Sequence, residues 1–442
     1  MHTRTLKDQF HIKELDECHL EQFNKLLRYA FQVTERDLFN AGWSGEEIKL
    51  AKYPVLRNAQ VFGWFDESNL ISQIALYPVQ MNIYNTIYKM GYITGVATYP
   101  EYAGLGLMND LIKKVLGIMR ESGQSISCLY PYSIPYYRSK GWEIVSDKIT
   151  FAIKDSQVPK VPKVEGIVRR VSADNEDFLN LYHSFALRTH GALLRDSLSW
   201  EEYWRWEVED ISIALYYDTT GHANGYIVYL LDNDVFKIKE MIWLNQEARY
   251  GIWHFINAHQ SMFDRIEGAN YSNESLAFLL EDGHISESIQ PYIMARIVDV
   301  EQFLHQYPFD HISFDTQFCF IVQDNMLEWN NKAFVLEFRG NDVNLKVLDS
   351  IESNESGQLD LAQGGGARDT TSNLHTQEQR PYNQMMPPYH VKLSIQTLTT
   401  MLLGYKRPSY LRAIERLEAD EASLNILEDI IPEGKAYFSD YF

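Results

Sequence analysis

The sequence predicts a mixed α+β fold. Three observations carry this: apolar residues at helical spacing, runs of β-formers punctuated by tight-turn residues, and a strand that breaks into a glycine-bearing loop just before an amphipathic helix. The helical pattern comes first. Within residues 9–32, Leu20, Phe23, Leu26, Leu27, Tyr29 and Ala30 recur at helical spacing, so an amphipathic helix is expected to open the chain. VFGWF (Val61 to Phe65), a turn at Asp66 to Asn69, and LISQIALYPVQMNIY then read as a hairpin. A second turn at Asn85-Thr86 leads to IYKMGYITGVATYP, a strand that stops at Pro100. After the loop, LMNDLIKKVLGIMRESG places Met108, Leu111, Ile112, Val115 and Met119 on one face, with Gly123 as its stop, and SISCLY is the next strand. One crossover helix between neighbouring parallel strands is the expected arrangement.

With 442 residues and 45% apolar content, the chain exceeds one ordinary core and should form two or three domains. The proline-bearing segment DSQVPKVPKVEG (155–166) marks the first boundary, which gives regions 1–154, 155–297 and 298–442. The middle region repeats the pattern, with a hairpin around Asp232-Asn233-Asp234. Its segment NQEARYGIWHFINAH echoes PEYAGLGLMNDLIKK, setting Gly251 beside Gly106, as a duplicated fold with a degraded second loop would. The third region holds the strand candidates HISFDTQFCFIVQD and AFVLEFRGNDVNLKVLD, then the helices SIQTLTTMLLGYKRPSYLRAIERL and ASLNILEDII. Residues 351–390, rich in Gly, Ser, Asn, Gln and Pro, are expected to be mostly a long mobile surface loop.

Charge narrows the classes of partner. Sixty acidic against forty basic side chains leave a net charge of −20, which repels nucleic acid and anionic membranes and attracts polycationic small molecules. The same surplus also serves plain solubility. Cys18, Cys128 and Cys319 are far apart and form no CxxC, so neither a disulfide framework nor a zinc site is expected. The thirteen histidines include no HExxH pair, and no Gly-x-Ser-x-Gly elbow accompanies them, so no metal is expected. No stretch is long and apolar enough to span a bilayer, and a reducing cytoplasmic location fits best.

The most specific stretch is GVATYPEYAGLGLMNDLIKKV, followed by SCLYPYSIPYYRSKGWEIV. A strand entering a glycine loop and then a helix turns several backbone N–H groups and the positive helix end toward one point, which is a pyrophosphate site. Gly104 and Gly106 remove the Cβ that would block that approach. Together these segments resemble the GNAT N-acetyltransferase superfamily, whose loop reads Arg or Gln, two residues, Gly, one residue, then Gly or Ala. Gly106 fills the central glycine, while Ala103 stands at the Arg or Gln position and Met108 at the small residue. The departure removes a cationic phosphate contact and keeps the N–H cradle. Over its whole length the chain is similar to the Eis-like (enhanced intracellular survival) branch, down to the ending AYFSDYF.

The resemblance implies two acetyltransferase-type regions, a domain like sterol carrier proteins, hexameric assembly, and transfer of acetyl from acetyl-CoA to an amine of a cationic small molecule, such as an aminoglycoside, or of a lysine. It implies that Val96, Ala97 and Thr98 line the pantetheine arm, that Gly104, Leu105, Gly106, Leu107, Met108 and Asn109 hold the pyrophosphate, and that Tyr132 and Ser133 border the pantetheine end. Tyr137, in a Tyr-x-x-x-Gly-aromatic motif completed by Gly141-Trp142, is implied as general acid, and the terminal carboxylate of Phe442 as general base. Without the resemblance, Tyr137 is a packed aromatic among Tyr130, Tyr132 and Tyr136, and Phe442 a solvated terminus. LSWEEYWRW (198–206) reads as core packing, with a cationic-amine pocket as the sharper alternative. The competing expectation for the whole is an acetyltransferase scaffold with weakened catalysis that binds lipid through its last domain.

Overall fold

The computed structural model describes residues 6–207, 210–272, 274–340, 342–348, 350–353, 359–362, 384–385 and 387–442. They form two compact units, one of residues 1–132, 144–294 and 435–442, the other of residues 133–143 and 295–434.

In the first unit, β1 (Phe10–Glu14), β2 (Gln60–Asp66), β3 (Asn69–Ile83), β4 (Thr86–Thr98) and β5 (Ile126–Leu129) line up in that order, with helices α1 (Leu20–Ala30) and α2 (Leu107–Glu121) packed on them. The opening helix is shorter than the apolar pattern suggested. Phe10 to Glu14 pair antiparallel with β2, and Asp16 then accepts the Cys18 N–H at 2.9 Å in a capped turn, so α1 begins only at Leu20. Tyr84 and Asn85 both take positive φ in the tight turn between β3 and β4, as a two-residue hairpin on right-twisted strands requires. The helix α2 buries Leu107, Leu111, Ile112, Val115, Leu116 and Met119; Leu107, rather than Met108, faces the core in its first turn.

The same plan recurs further along this unit. Strands β6 (Asp147–Lys154), β7 (Ile167–Val171), β8 (Ser212–Tyr217), β9 (Ala223–Asp232), β10 (Val235–Trp243), β11 (Arg265–Asn270) and β12 (Ser286–Pro291) form a second sheet, ordered β12-β6-β11-β10-β9-β8-β7. Helices α3 (Glu176–Ala186), α4 (Ser197–Trp204) and α5 (Gln246–Asn257) accompany it. Here β10 and β11 run parallel across α5, as β4 and β5 do across α2. The proposed alignment of Gly251 with Gly106 does not hold. Gly251 sits inside α5 against the Tyr216 ring, and the residue that caps α5 is Asn245, whose side chain takes the Ala248 N–H at 2.8 Å.

The second unit is built on a sheet of β13 (Thr316–Gln323), β14 (Ala333–Arg339), β15 (Asp342–Leu348), β16 (Tyr389–Ser394) and β17 (Leu417–Glu418), ordered β15-β14-β13-β16-β17. Helices α6 (Val300–Gln306), α7 (Ile395–Leu402), α8 (Pro408–Ala413) and α9 (Glu421–Ile430) complete it. The helical pattern over 394–417 divides at Gly404, whose φ of +72° ends α7, and Pro408 opens α8. Of the expected loop 351–390, residues 354–358, 363–383 and 386 lie outside the described residues. Within the remainder, Ser350–Ser353, Leu359–Ala362 and Gln384–Met385 form a small antiparallel sheet, and β16 already begins at Tyr389. Among the described residues no helix is long and apolar enough to cross a membrane, and no group of three metal-ligating side chains is placed to hold an ion.

Candidate active site

The strands β4 and β5 are joined only at Met90 to Tyr92 against Ile126 to Cys128, although β4 continues to Thr98. Beyond that point one edge of Ile93 to Thr98, including the expected Val96, Ala97 and Thr98, has no ladder to β5. A bulge turns the strand there: Gly95 adopts φ +61°, and the register with β3 slips between Gln73 and Ala75. The other edge stays fixed, with the Ser72 hydroxyl 3.3 Å from the Ala97 carbonyl and 2.7 Å from the Thr98 hydroxyl.

At the far end of β4 the chain enters the glycine loop. Gly104 and Gly106 have φ of +80° and +75°, a region closed to most side chains, and Gly106 caps α2. The first hydrogen bond of the helix runs from Asp110 N–H to the Gly106 carbonyl at 3.3 Å, and among the described residues no amide from Gly104 to Asn109 donates within the chain. A Cβ added at Gly104 would meet nothing within 4 Å, and one at Gly106 only the Lys7 ammonium, at 3.8 Å. Free donors around open space at a helix start fit a diphosphate. The Trp64 indole, reaching from β2 to the Leu107 carbonyl at 2.9 Å, pins the loop to the sheet.

The chain's own end meets the parting of β4 and β5. The Thr94 hydroxyl donates to a terminal oxygen of Phe442 at 2.9 Å, and the Phe442 ring lies edge-on to Tyr92 at 4.5 Å and beside Tyr77 at 5.5 Å. Two residues earlier the tail is locked by charge. Arg195 donates to Asp440 at 2.6 Å and to both oxygens of Glu240 at 2.8 and 3.1 Å, with all three side chains buried. Tyr226 and Tyr203 donate to Glu240 as well, and Tyr182, Tyr203 and Trp200 stack around the guanidinium at 3.8, 4.1 and 4.7 Å. Burial alone would raise the Glu240 carboxyl, but Arg195 and these donors hold it below the usual glutamate range. Asp440 is raised, because burial outweighs its contact with Arg195.

Tyr132 is exposed and belongs to the first unit; Ser133 and Tyr137 belong to the second. Tyr137 lies on the short helix Ile134–Arg138, buried, with its ring edge-on to Tyr136 at 5.2 Å and to Trp142 at 6.1 Å. Burial, reinforced by Tyr136, pushes its phenol above the ordinary tyrosine range. The Tyr-x-x-x-Gly-aromatic spacing has a structural cause. The Tyr137 carbonyl accepts from Lys140 and Trp142 N–H at 2.9 and 3.1 Å, which requires Gly141 at φ +95°. The space a Cβ would take there is filled by the Arg296 guanidinium, which donates to the Lys140 carbonyl and pairs with Asp324.

Sequence reasoning missed Thr94, Trp64 and the Arg195–Glu240–Asp440 group. Glu240 alone carried a signal: in sequence it takes an alternating apolar position between Ile238 and Ile242, and a charge there calls for a partner, although a bulge turns Glu240 and Ile242 to the sheet face opposite Phe236 and Ile238.

The comparisons with known proteins bear on the domains and the fold. Residues 11–145 and 191–297 each match an acetyltransferase (GNAT) domain family, and residues 300–439 match a sterol carrier protein domain. A conserved protein of unknown function from Enterococcus faecalis V583, described as a probable N-acyltransferase, is 25% identical and superposes with a TM-score of 0.81 over 98% of this chain and 99% of its own. A GCN5-related N-acetyltransferase from Anabaena variabilis is 20% identical, with a TM-score of 0.77 over 98% of this chain and all of its own. Eis1 from Mycobacterium abscessus is 15% identical, with a TM-score of 0.73 over the same shares. Among curated proteins none matches the chain. The fold and the matched domains define an acetyltransferase of the GNAT superfamily, a class that uses acetyl-CoA. Its layout is two GNAT domains followed by a sterol carrier protein domain, and its fold is similar to that of Eis1.

Proposed function

We propose that the protein transfers acetyl from acetyl-CoA to a primary amine of a cationic acceptor, an aminoglycoside-like compound or a lysine side chain. Acetyl-CoA supplies the acyl thioester that the amine attacks. In this reading the amides of Gly104, Leu105, Gly106, Leu107, Met108 and Asn109 bind the diphosphate, Val96, Ala97 and Thr98 take the pantetheine arm along the free edge of β4, and Tyr132 and Ser133 border it. The Phe442 carboxylate accepts the amine proton, and Tyr137 returns one to the leaving thiolate.

The observation that carries the proposal is the hydrogen bond from Thr94 to the Phe442 carboxylate, just where β4 and β5 part. A free α-carboxylate is a weak base, with an ordinary pKa of about 3.3 to 3.7, so its value lies in fixed placement. The raised phenol of Tyr137 suits the opposite task, because it stays protonated near neutrality and is therefore available as an acid. A cationic acceptor is favoured by the net charge of −20 and by a cleft of about 600 Å³ in the first unit. Trp43, Trp200 and Trp204 line it with Asp174 and Glu201, aromatic faces beside carboxylates. Its Arg205 pairs with Glu202, which accepts from the Tyr77 hydroxyl at 2.9 Å, one ring away from Phe442. Assembly as a hexamer belongs to the same reading and is open to analytical ultracentrifugation.

The test is Tyr137→Phe. CoA release with a panel of aminoglycosides, polyamines and peptides should fall at least about a hundredfold in kcat, while acetyl-CoA still raises the melting point. Full turnover in the variant would remove Tyr137 from its role. A melting point raised by lipid but not by acetyl-CoA would favour instead a carrier built on the 300–439 domain.

A further inference from the structure

The loop lacks the Arg or Gln that the resembled motif places three positions before the central glycine, since Ala103 stands there. A cation is nevertheless present. Lys7, on the short helical turn Leu6–Gln9 that precedes β1, sets its ammonium 3.8 Å from the Cβ position of Gly106 and 5.5 Å from the Trp64 ring centroid. It pairs with Asp110, in the first turn of α2, and both side chains remain about a third exposed, at 31% and 39%. Trp64 is the residue that pins Leu107, so the ammonium is held against the same indole that fixes the loop.

The charges around this spot favour a further role for the pair. Asp110 suits the helix dipole, but a carboxylate beside the free amides also repels an incoming diphosphate. Lys7 cancels that charge and, being a flexible point cation with three donors, can turn from Asp110 toward a phosphate oxygen without moving the backbone. We propose that Lys7, contributed from outside the loop, is the cationic contact to the diphosphate of acetyl-CoA. The assignment rests on the acetyl-CoA reading of the Gly104 to Asn109 amides. Lys7 acts in binding and has no part in the transfer step.

The test is equilibrium binding by calorimetry on the full chain. Lys7→Ala should raise the Kd for acetyl-CoA about tenfold and flatten its salt dependence, and Lys7→Arg should restore most of the affinity. Acetyl-pantetheine, which has no diphosphate, should bind wild type and Lys7→Ala alike. Asp110→Asn, which frees the ammonium, should tighten acetyl-CoA a few-fold. If Lys7→Ala binds acetyl-CoA as wild type does, or weakens acetyl-pantetheine equally, the role is overturned. Loss of the Lys7→Ala penalty with 3′-dephospho-CoA would move the contact to the 3′-phosphate and also overturn the assignment. Failure of the wild type itself to bind acetyl-CoA would reject the loop reading instead, so the two failures are distinct.

Discussion

Arg195 and Asp440 form a buried ion pair, Nε to Oδ1 at 2.6 Å, that fastens the last residues of the chain to the second acetyltransferase region through Glu240. The two regions then do different things with equivalent strands. In the first, β4 and β5 part after Tyr92, and Thr94, two residues on, meets the terminal oxygen of Phe442. In the second, β10 and β11 part after Ile238, and Glu240, again two residues on, meets Arg195 and Ser439. Where the first region has a glycine loop with free amides, the second caps its helix with Asn245. The duplicated region has become an anchor for the tail whose end reaches the first.

The placement of the terminal carboxylate is testable without touching the fold. One glycine appended after Phe442 leaves a carbonyl oxygen for the Thr94 hydroxyl but no carboxylate at that point. Stopped-flow or steady-state assays should show kcat lower by about a hundredfold, with the acetyl-CoA Kd unchanged. Unchanged kcat would exclude the terminus as base.

The anchor should respond to pH with a definite sign. Arg195 faces two buried carboxylates, so one negative charge is left over, and it is Asp440 whose carboxyl is raised by burial. A raised folded pKa means that folding favours the protonated form. That stabilisation is complete below the ordinary value near ~3.9 and is lost as pH rises through the folded value. Asp440→Asn keeps the neutral form at every pH. Urea unfolding from pH 4 to 8 should therefore show the variant gaining on wild type as pH rises, then levelling. Glu240, held low, adds a slope of opposite sign only at the acid end of this range, where the unfolded glutamate still titrates, and wild type and variant share it. Arg195→Met, by contrast, strands both carboxylates and should cost roughly 3–5 kcal/mol at neutral pH.

Much of this was legible in the chain. The β3–β4 turn, expected at Asn85-Thr86 and found one residue earlier at Tyr84-Asn85, the helix after Gly106 and the spacing from Tyr137 to Gly141 are local, set by φ preferences and periodicity within a few residues. What stayed hidden was long-range. Thr94 lies 348 positions from Phe442, and Arg195 lies 245 from Asp440; nothing in the local pattern joins them. The Gly251 echo misled because a glycine inside a helix and a glycine capping one look alike in sequence. Only the neighbour separates them, the Tyr216 ring for the first and the movable Lys7 ammonium, 3.8 Å away, for the second.

The glycine loop predicts a division between folding and binding. Gly106→Ala introduces a side chain at φ +75°, a strain of roughly 1–2 kcal/mol, yet its Cβ meets only the movable Lys7 ammonium. The melting point should drop by a few degrees. Acetyl-CoA affinity should fall further than that strain alone implies, because the methyl group stands where a phosphate must approach. Calorimetry on the folded variant checks it, and an unaltered Kd would mean that the amides are not the cradle.

Gly141→Ala should behave oppositely. Its Cβ would fall 1.6 Å from Arg296 Nη1 and 2.6 Å from the guanidinium carbon, at a backbone φ of +95°. Arg296 cannot retreat freely, because it is fully buried, pairs with Asp324 and donates to the Lys140 carbonyl. Either the guanidinium leaves its carboxylate or the turn opens and the Tyr137 carbonyl loses the Lys140 and Trp142 donors. Displacing a buried ion pair costs about 3–5 kcal/mol, so thermal unfolding should come many degrees earlier. Below that transition kcat should fall as the Tyr137 phenol loses its fixed position, while acetyl-CoA binding at the Gly104 to Asn109 amides stays near wild type. Loss of binding and turnover in step would show instead that the turn supports the cofactor site, and Tyr137 would have to be reassigned.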